Sequence, residues 1–307
     1  MILCCGEALI DMLPRQSPDG EATFAPHAGG AVFNTAVALG RLGQPTGFFS
    51  GLSTDMFGKV LTDALTASNV DATLAVRVPR PTTLAFVELV DGQARYAFYD
   101  ENTAGRMLYR DDLPELPNGI NAMFFGGISL AAEPCGTAFE AMMLRDAPTR
   151  VAMIDPNIRP GFITDEAAYR GRLARMIAVA DIVKLSDEDL HWLSGTGDIE
   201  KLAQDMLSMG PGIVFITEGP KGAHGFTRHS KVFVPARKVV VADTVGAGDT
   251  FNAGILAGLS RLGILRKDAI GDISGAQMTE ALTLGIRAAA VTVSRSGANP
   301  PWLAEIA

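Results

Sequence analysis

The chain has 307 residues, 48% of them hydrophobic and 20% charged, the balance of a folded globular protein, which excludes wholesale disorder. Its 26 basic and 34 acidic residues leave a formal charge of −8, so it has no general attraction for nucleic acid or anionic lipid, and any phosphate has to be held by a local site. No apolar run reaches the roughly 18 residues that span a bilayer, and the expectation is a cytoplasmic protein without nucleic-acid or membrane partners.

In chain order, the apolar start, about residues 2 to 10, reads as one buried strand. It lacks a basic leader and is interrupted by Glu7 and Asp11, unlike a signal peptide. Cys4, Cys5 and Cys135 stand in no metal-ligand spacing and read as buried thiols of a reduced compartment, and the four histidines are too scattered for a zinc site. After a Pro/Gly-rich stretch, residues 31 to 42 repeat apolar side chains at helical spacing. Residues 48 to 52 form a short buried strand and 57 to 67 another helix. Residues 82 to 90, the turn pair Asp91-Gly92, and residues 94 to 99 read as a β-hairpin, which cannot bury a core alone and so has to pack on something or cover something.

From about residue 120, short apolar runs (122–126, 151–154, 181–185, 212–217) alternate with helical stretches such as 133–144 and 166–178. Continuous apolar strands between helices imply an α/β fold whose mostly parallel sheet is covered on both faces. Ligands of such sheets bind beyond the carboxyl ends of the strands. The polar segments fall there: Asp155-Pro156-Asn157-Ile158-Arg159, Ser186 to Asp189, and Thr217-Glu218-Gly219. The expectation is a single domain over 1–307, with a small β lid from about 12–28 and 74–100.

The sharpest local feature is Asp243-Thr244-Val245-Gly246-Ala247-Gly248-Asp249-Thr250, between a run of three valines and a long apolar stretch. Its glycines let successive N–H groups converge at a helix N-terminus, a place for an anion whose charge grows in a transition state. A carboxylate at Asp249 would repel a phosphate held there for its own sake. At the rim it makes sense as a base taking a proton from a hydroxyl; the alternative is that it merely caps the helix.

These residues resemble the C-terminal signature of the ribokinase-like (PfkB-type) carbohydrate kinases. Gly29-Gly30-Ala31-Val32-Phe33-Asn34-Thr35-Ala36 resembles the N-terminal signature of the same family. The two stand in the expected order and are about two hundred residues apart, and the resemblance covers nearly the whole chain. It implies a three-layer α/β/α ribokinase-like fold and phosphoryl transfer from ATP to a small sugar. Asp249 would be the base, and the N–H groups of Gly246, Ala247 and Gly248 the anion hole. Asp11, Gly29, Gly30 and Asn34 would hold the sugar, with the lid aromatic Phe98 over it and Arg159 beside it or at a phosphate. Ser186, Thr217, Gly219, Gly222 and the stretch 288–291, including Ala289, would border the nucleotide. The family's Asn-x-x-Glu, which orders water around Mg²⁺, is replaced by Ser186-Asp187-Glu188-Asp189, so Glu188 and Asp189 share that role. Asp243 would be a ligand of K⁺ where relatives bind one; Pro301 stands where they use a late hydroxyl.

Within the family the wording is similar to bacterial fructokinases. The 2-keto-3-deoxygluconate kinases, which share the Asp-Pro-Asn-x-Arg motif, are the alternative. Asp100 and Glu101 stand where those place an arginine, which points to a neutral sugar. From other classes, a nicotinamide dehydrogenase would need a glycine fingerprint after the first strand, where only Gly6 stands. A non-catalytic sugar-binding protein on the same fold would not need Asp249. An apolar outer face on the hairpin would offer a homodimer contact.

Overall fold

The apolar start of the chain is two strands rather than one. β1 (Ile2–Cys5) lies fully buried in a large sheet, and β2 (Leu9–Gln16) turns away into a smaller one. The break comes at Gly6, where a Cβ would stand 2.5 Å from the Val32 side chain. The computed structural model describes residues 1–90 and 93–306; the expected turn pair Asp91-Gly92 lies outside the described residues.

β3 (Ala22–Gly29) returns antiparallel to β2 and leads into α1 (Ala31–Arg41), whose apolar side chains are buried. The run expected as one strand at 48–52 also divides. β4 (Thr46–Phe49) belongs to the large sheet, and β5 (Gly51–Ser53) leaves it to pair with β7. α2 (Met56–Ala67) is capped by Asp55, which accepts from Gly58 N at 2.7 Å. Next come β6 (Val70–Asp71), β7 (Val76–Val78), β8 (Thr83–Val90) and β9 (Gln93–Tyr99). β8 pairs parallel to β2 and antiparallel to β9, which completes a four-stranded small sheet in the order β3-β2-β8-β9.

The rest follows the predicted alternation: β10 (Ala122–Gly126), α3 (Cys135–Asp146), β11 (Val151–Asp155), α4 (Glu166–Val179), β12 (Ile182–Ser186), α5 (Asp187–Ser194), α6 (Ile199–Ser208) and β13 (Ile213–Thr217). β14 (Gly222–Phe226) and β15 (Lys231–Pro235) then add an antiparallel edge that the apolar runs did not disclose; β15 alternates exposed residues with the half-buried Val232 and Val234 and has no continuous apolar run. α7 (Ala247–Arg261) and α8 (Gly275–Val293) close the chain. The large sheet runs β15-β14-β13-β12-β11-β10-β1-β4-β6, parallel from β13 to β6.

Alternate residues of the strands feed two cores. Ile2, Phe124, Met153, Ile182 and Phe215 pack with α1, α7 and α8 on one face. Leu3, Phe125, Ile154, Val183 and Ile216 pack with α3, α4 and α6 on the other. The result is a three-layer α/β/α body of the expected class, with the small sheet joined at the carboxyl end of β1. No helix among the described residues is long and apolar enough to cross a membrane.

Candidate active site

α7 begins at Gly246, whose left-handed backbone (φ 76°) and close packing leave no room for a side chain: a Cβ would stand 2.8 Å from that of Ala298. Asp243 fixes this turn. Its Oδ1 accepts from Val245 N at 3.0 Å and its Oδ2 from Gly297 N at 2.9 Å. Ala247 N is drawn back to Thr244 O at 3.3 Å, while no described residue accepts from the N–H of Gly246 or Gly248. Two amide donors thus stand free in a glycine turn, the amide concavity expected from the sequence, at the positive end of a 15-residue helix.

Asp249 is not the cap of that helix. Gly246 occupies the cap position and makes no side-chain bond, whereas Asp249 is buried and accepts from Asn34 Nδ2 at 2.9 Å. Its backbone carbonyl also accepts from Thr35 Oγ1 at 3.2 Å, so α1 and α7 meet at this pair. Burial pushes the Asp249 carboxyl up to about 7; the charges of Asp155 and Glu7 act in the same sense, and Asn34 and Lys184 oppose them. A carboxyl in that range can take a proton and release it near neutral pH.

Behind the turn is a polar group that the apolar pattern concealed. Lys184 on β12 donates to Asp155 Oδ2 on β11 at 2.9 Å, and Asn252 of α7 donates to the same oxygen at 2.7 Å. All three are buried. The ammonium would touch a Cβ on Gly248 at 3.5 Å, which sets a cation under the amide concavity. Asp155 thus serves more than its own loop, although its Oδ1 does accept from Asn157 N at 3.2 Å.

On the side of the small sheet, Gly29 and Gly30 are required by contact. A Cβ on Gly29 would stand 2.2 Å from Asp11 Oδ2, and Gly30 has φ 107°. Burial pushes the Asp11 carboxyl up to about 6. Register places Asp11, Ala85 and Phe98 side by side on one face of the small sheet. Phe98 meets Phe162 edge-on at 4.6 Å, which adds to the site an aromatic that sequence reasoning did not single out. Phe162 lies three residues past Arg159, and nothing local marks it. Arg159 is exposed and donates to the carbonyls of Asn157 and Ile158, with no acidic partner among the described residues. Asp100 differs from its expected behaviour as a free repelling charge: Arg106 Nη1 donates to both its oxygens at 3.0 Å, and only Glu101 remains exposed.

Of the expected nucleotide residues, Ser186 and Thr217 end β12 and β13, Gly219 follows Thr217, Gly222 opens β14 and Ala289 lies on α8. Ser186 caps α5, accepting from Asp189 N at 3.0 Å. Asp189 is buried and accepts from Ile158 N at 3.1 Å, and burial beside Asp155 raises its pKa; Glu188 is exposed. Thr217 Oγ1 donates to Leu185 O at 3.4 Å, and Gly219 takes φ 50°. Gly222 is explained by strand packing, since a Cβ would stand 2.3 Å from Val234 O. Ala289 is half-buried on α8, and Val239, Val240 and Val241 lie exposed just before the turn. Among the described residues no three metal-ligating side chains gather in one place.

Comparison with known proteins gives a consistent picture. The sequence profile of the pfkB family carbohydrate kinases matches residues 1–305. A fructokinase of Rhizobium leguminosarum bv. trifolii is 56% identical over 273 residues, 89% of this chain and 84% of the relative. Among solved structures, the fructokinase of Xylella fastidiosa with bound ATP superimposes with a TM-score of 0.87 at 29% identity, covering 99% of this chain and 96% of its own. A double mutant of the Vibrio cholerae O395 fructokinase, bound to fructose, ADP and potassium ion, does so with a TM-score of 0.84 at 27% identity, covering 97% and 93%.

Proposed function

Because the chain belongs to the pfkB family of carbohydrate kinases, we propose that it transfers the γ-phosphoryl group of ATP to a primary hydroxyl of fructose, with Asp249 as the base. The observation that carries this reading is the buried Asp249–Asn34 pair at the mouth of the amide concavity. Asn34 holds Asp249 through Nδ2, which leaves Oδ1 to accept from a sugar hydroxyl. Asp11 and the Gly29–Gly30 turn bind further hydroxyls, and Phe98 with Phe162 covers the ring and keeps water out. Asp249 takes the proton of the attacking hydroxyl while the free N–H groups of Gly246 and Gly248, joined by that of Ala247 once it leaves Thr244 O, receive the negative charge of the transferring group. Lys184 supports them from below.

Ser186, Thr217, Gly219, Gly222 and Ala289 border ATP, and the exposed valines give its base an apolar surface. The donors present fit a magnesium ion held through water: Glu188 is exposed and Asp189 lies behind it, both oxygen ligands. Such an ion supplies charge neutralisation between the phosphates. Asp243 fits a monovalent cation only through its remaining lone pairs, since both its oxygens already accept from amides. The small sheet serves as a lid on one domain spanning 1–307. Its outer face carries Phe24, Phe86 and Tyr99 in a row, edge-to-face at 5.0 and 5.4 Å. With Phe24 47% and Tyr99 63% exposed, a second copy of the chain covers this row.

A second reading, 2-keto-3-deoxygluconate as the acceptor, is favoured by Arg159, free of acidic partners, and by the Arg106 clasp on Asp100. ATP consumption measured over fructose, other neutral sugars and sugar acids separates the two. The expected result is turnover with fructose and little with the keto-deoxy acid; the reverse order would overturn fructose as substrate, and no sugar-dependent turnover would leave a binding protein.

A further inference from the structure

Glu7 is buried beneath the turn that carries Gly29 and Gly30, and the chemistry above gives it no part beyond its charge acting on Asp249. Its Oε1 accepts from Ala31 N at 3.0 Å, and its Oε2 from Ser129 N at 3.3 Å. Ala31 opens α1, and the cap residue Gly30 has no side chain to satisfy the amides there. A carboxylate from 24 residues upstream therefore stands in for the missing cap, at the favourable end of the helix dipole.

Packing holds it there from two sides. A Cβ on Gly127 would stand 1.9 Å from Oε1, and one on Gly30 would meet Glu7 O at 3.0 Å and Glu7 Cγ at 3.2 Å. Asn34, one turn into α1, bonds to Asp249, and Gly30 O accepts from Asn34 N at 2.8 Å. Burial pushes the Glu7 carboxyl above the usual carboxylate range, while its own backbone amide, the Ser129 hydroxyl and amide, and the Ala31 amide pull it back.

We propose that Glu7 is a positioning residue for the sugar: by fastening the start of α1 to the turn at Gly127 and Ser129, it sets Gly30 and Asn34 where sugar hydroxyls reach them. The inference rests on the sugar-site reading given above. Oε1 takes the amide of Ala31 and Oε2 that of Ser129. Glutamine has one acceptor oxygen, so Glu7→Gln turns an NH₂ group toward an N–H and loses one tie; Glu7→Ala loses both.

The test measures fructose binding by calorimetry with ADP present, and KM for fructose and for ATP, in Glu7→Gln, Glu7→Ala and Asn34→Ala. Losing one buried tie is expected to weaken fructose binding and raise its KM roughly 10-fold in Glu7→Gln, with KM for ATP within about twofold. Glu7→Ala, if it folds, loses more; the isosteric Glu7→Gln carries the decision if it does not. A purely structural role predicts a lower Tm with fructose binding unchanged, or both KM values rising together, and either overturns the proposal. If Asn34→Ala weakens fructose binding and Glu7→Gln does not, the positioning role fails alone. If neither does, the sugar-site reading fails with it.

Discussion

Ionising Asp249 in its buried place opposes folding, and the sign of that effect is measurable. Its ordinary pKa of 3.8 rises to about 7 in the fold, so between those values the folded chain binds a proton that the unfolded chain does not. Stability from this group is therefore greatest at the acid end of the window and falls as pH rises toward 7, above which the full burden of a buried charge is present. Asp249→Asn removes that charge. The variant is expected to lose at least about 10²-fold in kcat, the lower bound for losing a general base, and yet to melt above the wild type at pH 8. That gain should shrink as pH falls toward 5, and wild-type kcat should fall on the acid side of about 7. Near-normal turnover in Asp249→Asn would remove it as the base. Asp249 and Asn34 were legible because each lies in a glycine-marked segment with its own signature. Lys184, Phe162 and the part played by Glu7 were not. Each depends on a partner far along the chain, and a lone lysine in an apolar strand carries no sign of the acid that will neutralise it.

Strands were legible from unbroken apolarity, which reports burial but not membership. That is why the runs at 2–10 and 48–52 each conceal a passage between sheets. Helix contacts were less legible still. α7 and α8 pack with their backbones almost touching: a Cβ on Gly254 would stand 2.5 Å from Gly285 Cα, and one on Gly258 would stand 2.8 Å from Ala281 Cα. Both glycines sit inside a helix, where propensity alone disfavours them. Gly254→Ala has to part the two helices, and overpacking of this kind costs about 1–3 kcal/mol. Because the amide concavity and Asp249 lie at the start of α7, the variant should show a lower Tm by calorimetry together with a reduced kcat. A wild-type Tm and kcat would mean that this contact supports neither.

At the scale of the whole molecule, the aromatic row of the small sheet gives a direct test of assembly. A Phe24→Lys/Tyr99→Lys double variant places two charges in that row and is expected to elute as a monomer in size-exclusion chromatography with light scattering, and the wild type is expected to elute as a dimer. A monomeric wild type would rule the contact out. The same sheet is joined to the body by four chain passages, all at one end. Leu9, Gly29 and Thr83 stand in register there, with Tyr99 one residue along. Asp55 secures one passage, accepting from Thr82 N at 2.9 Å and from its hydroxyl at 2.7 Å. Asp100 and Arg106 secure another. The far end includes the turn closed by Gly20 N on Ser17 O at 3.0 Å. At roughly 3.3 Å per residue, Asp11 stands roughly 7 Å from the anchored end and that turn roughly 25 Å from it. The sheet is thus a lever with Asp11, the proposed sugar contact, near the fulcrum: a swing that opens the tip by several ångströms moves Asp11 by only about a quarter as much. Solvent access and sugar fit can then change independently, one governed by the tip and the other by the anchored end.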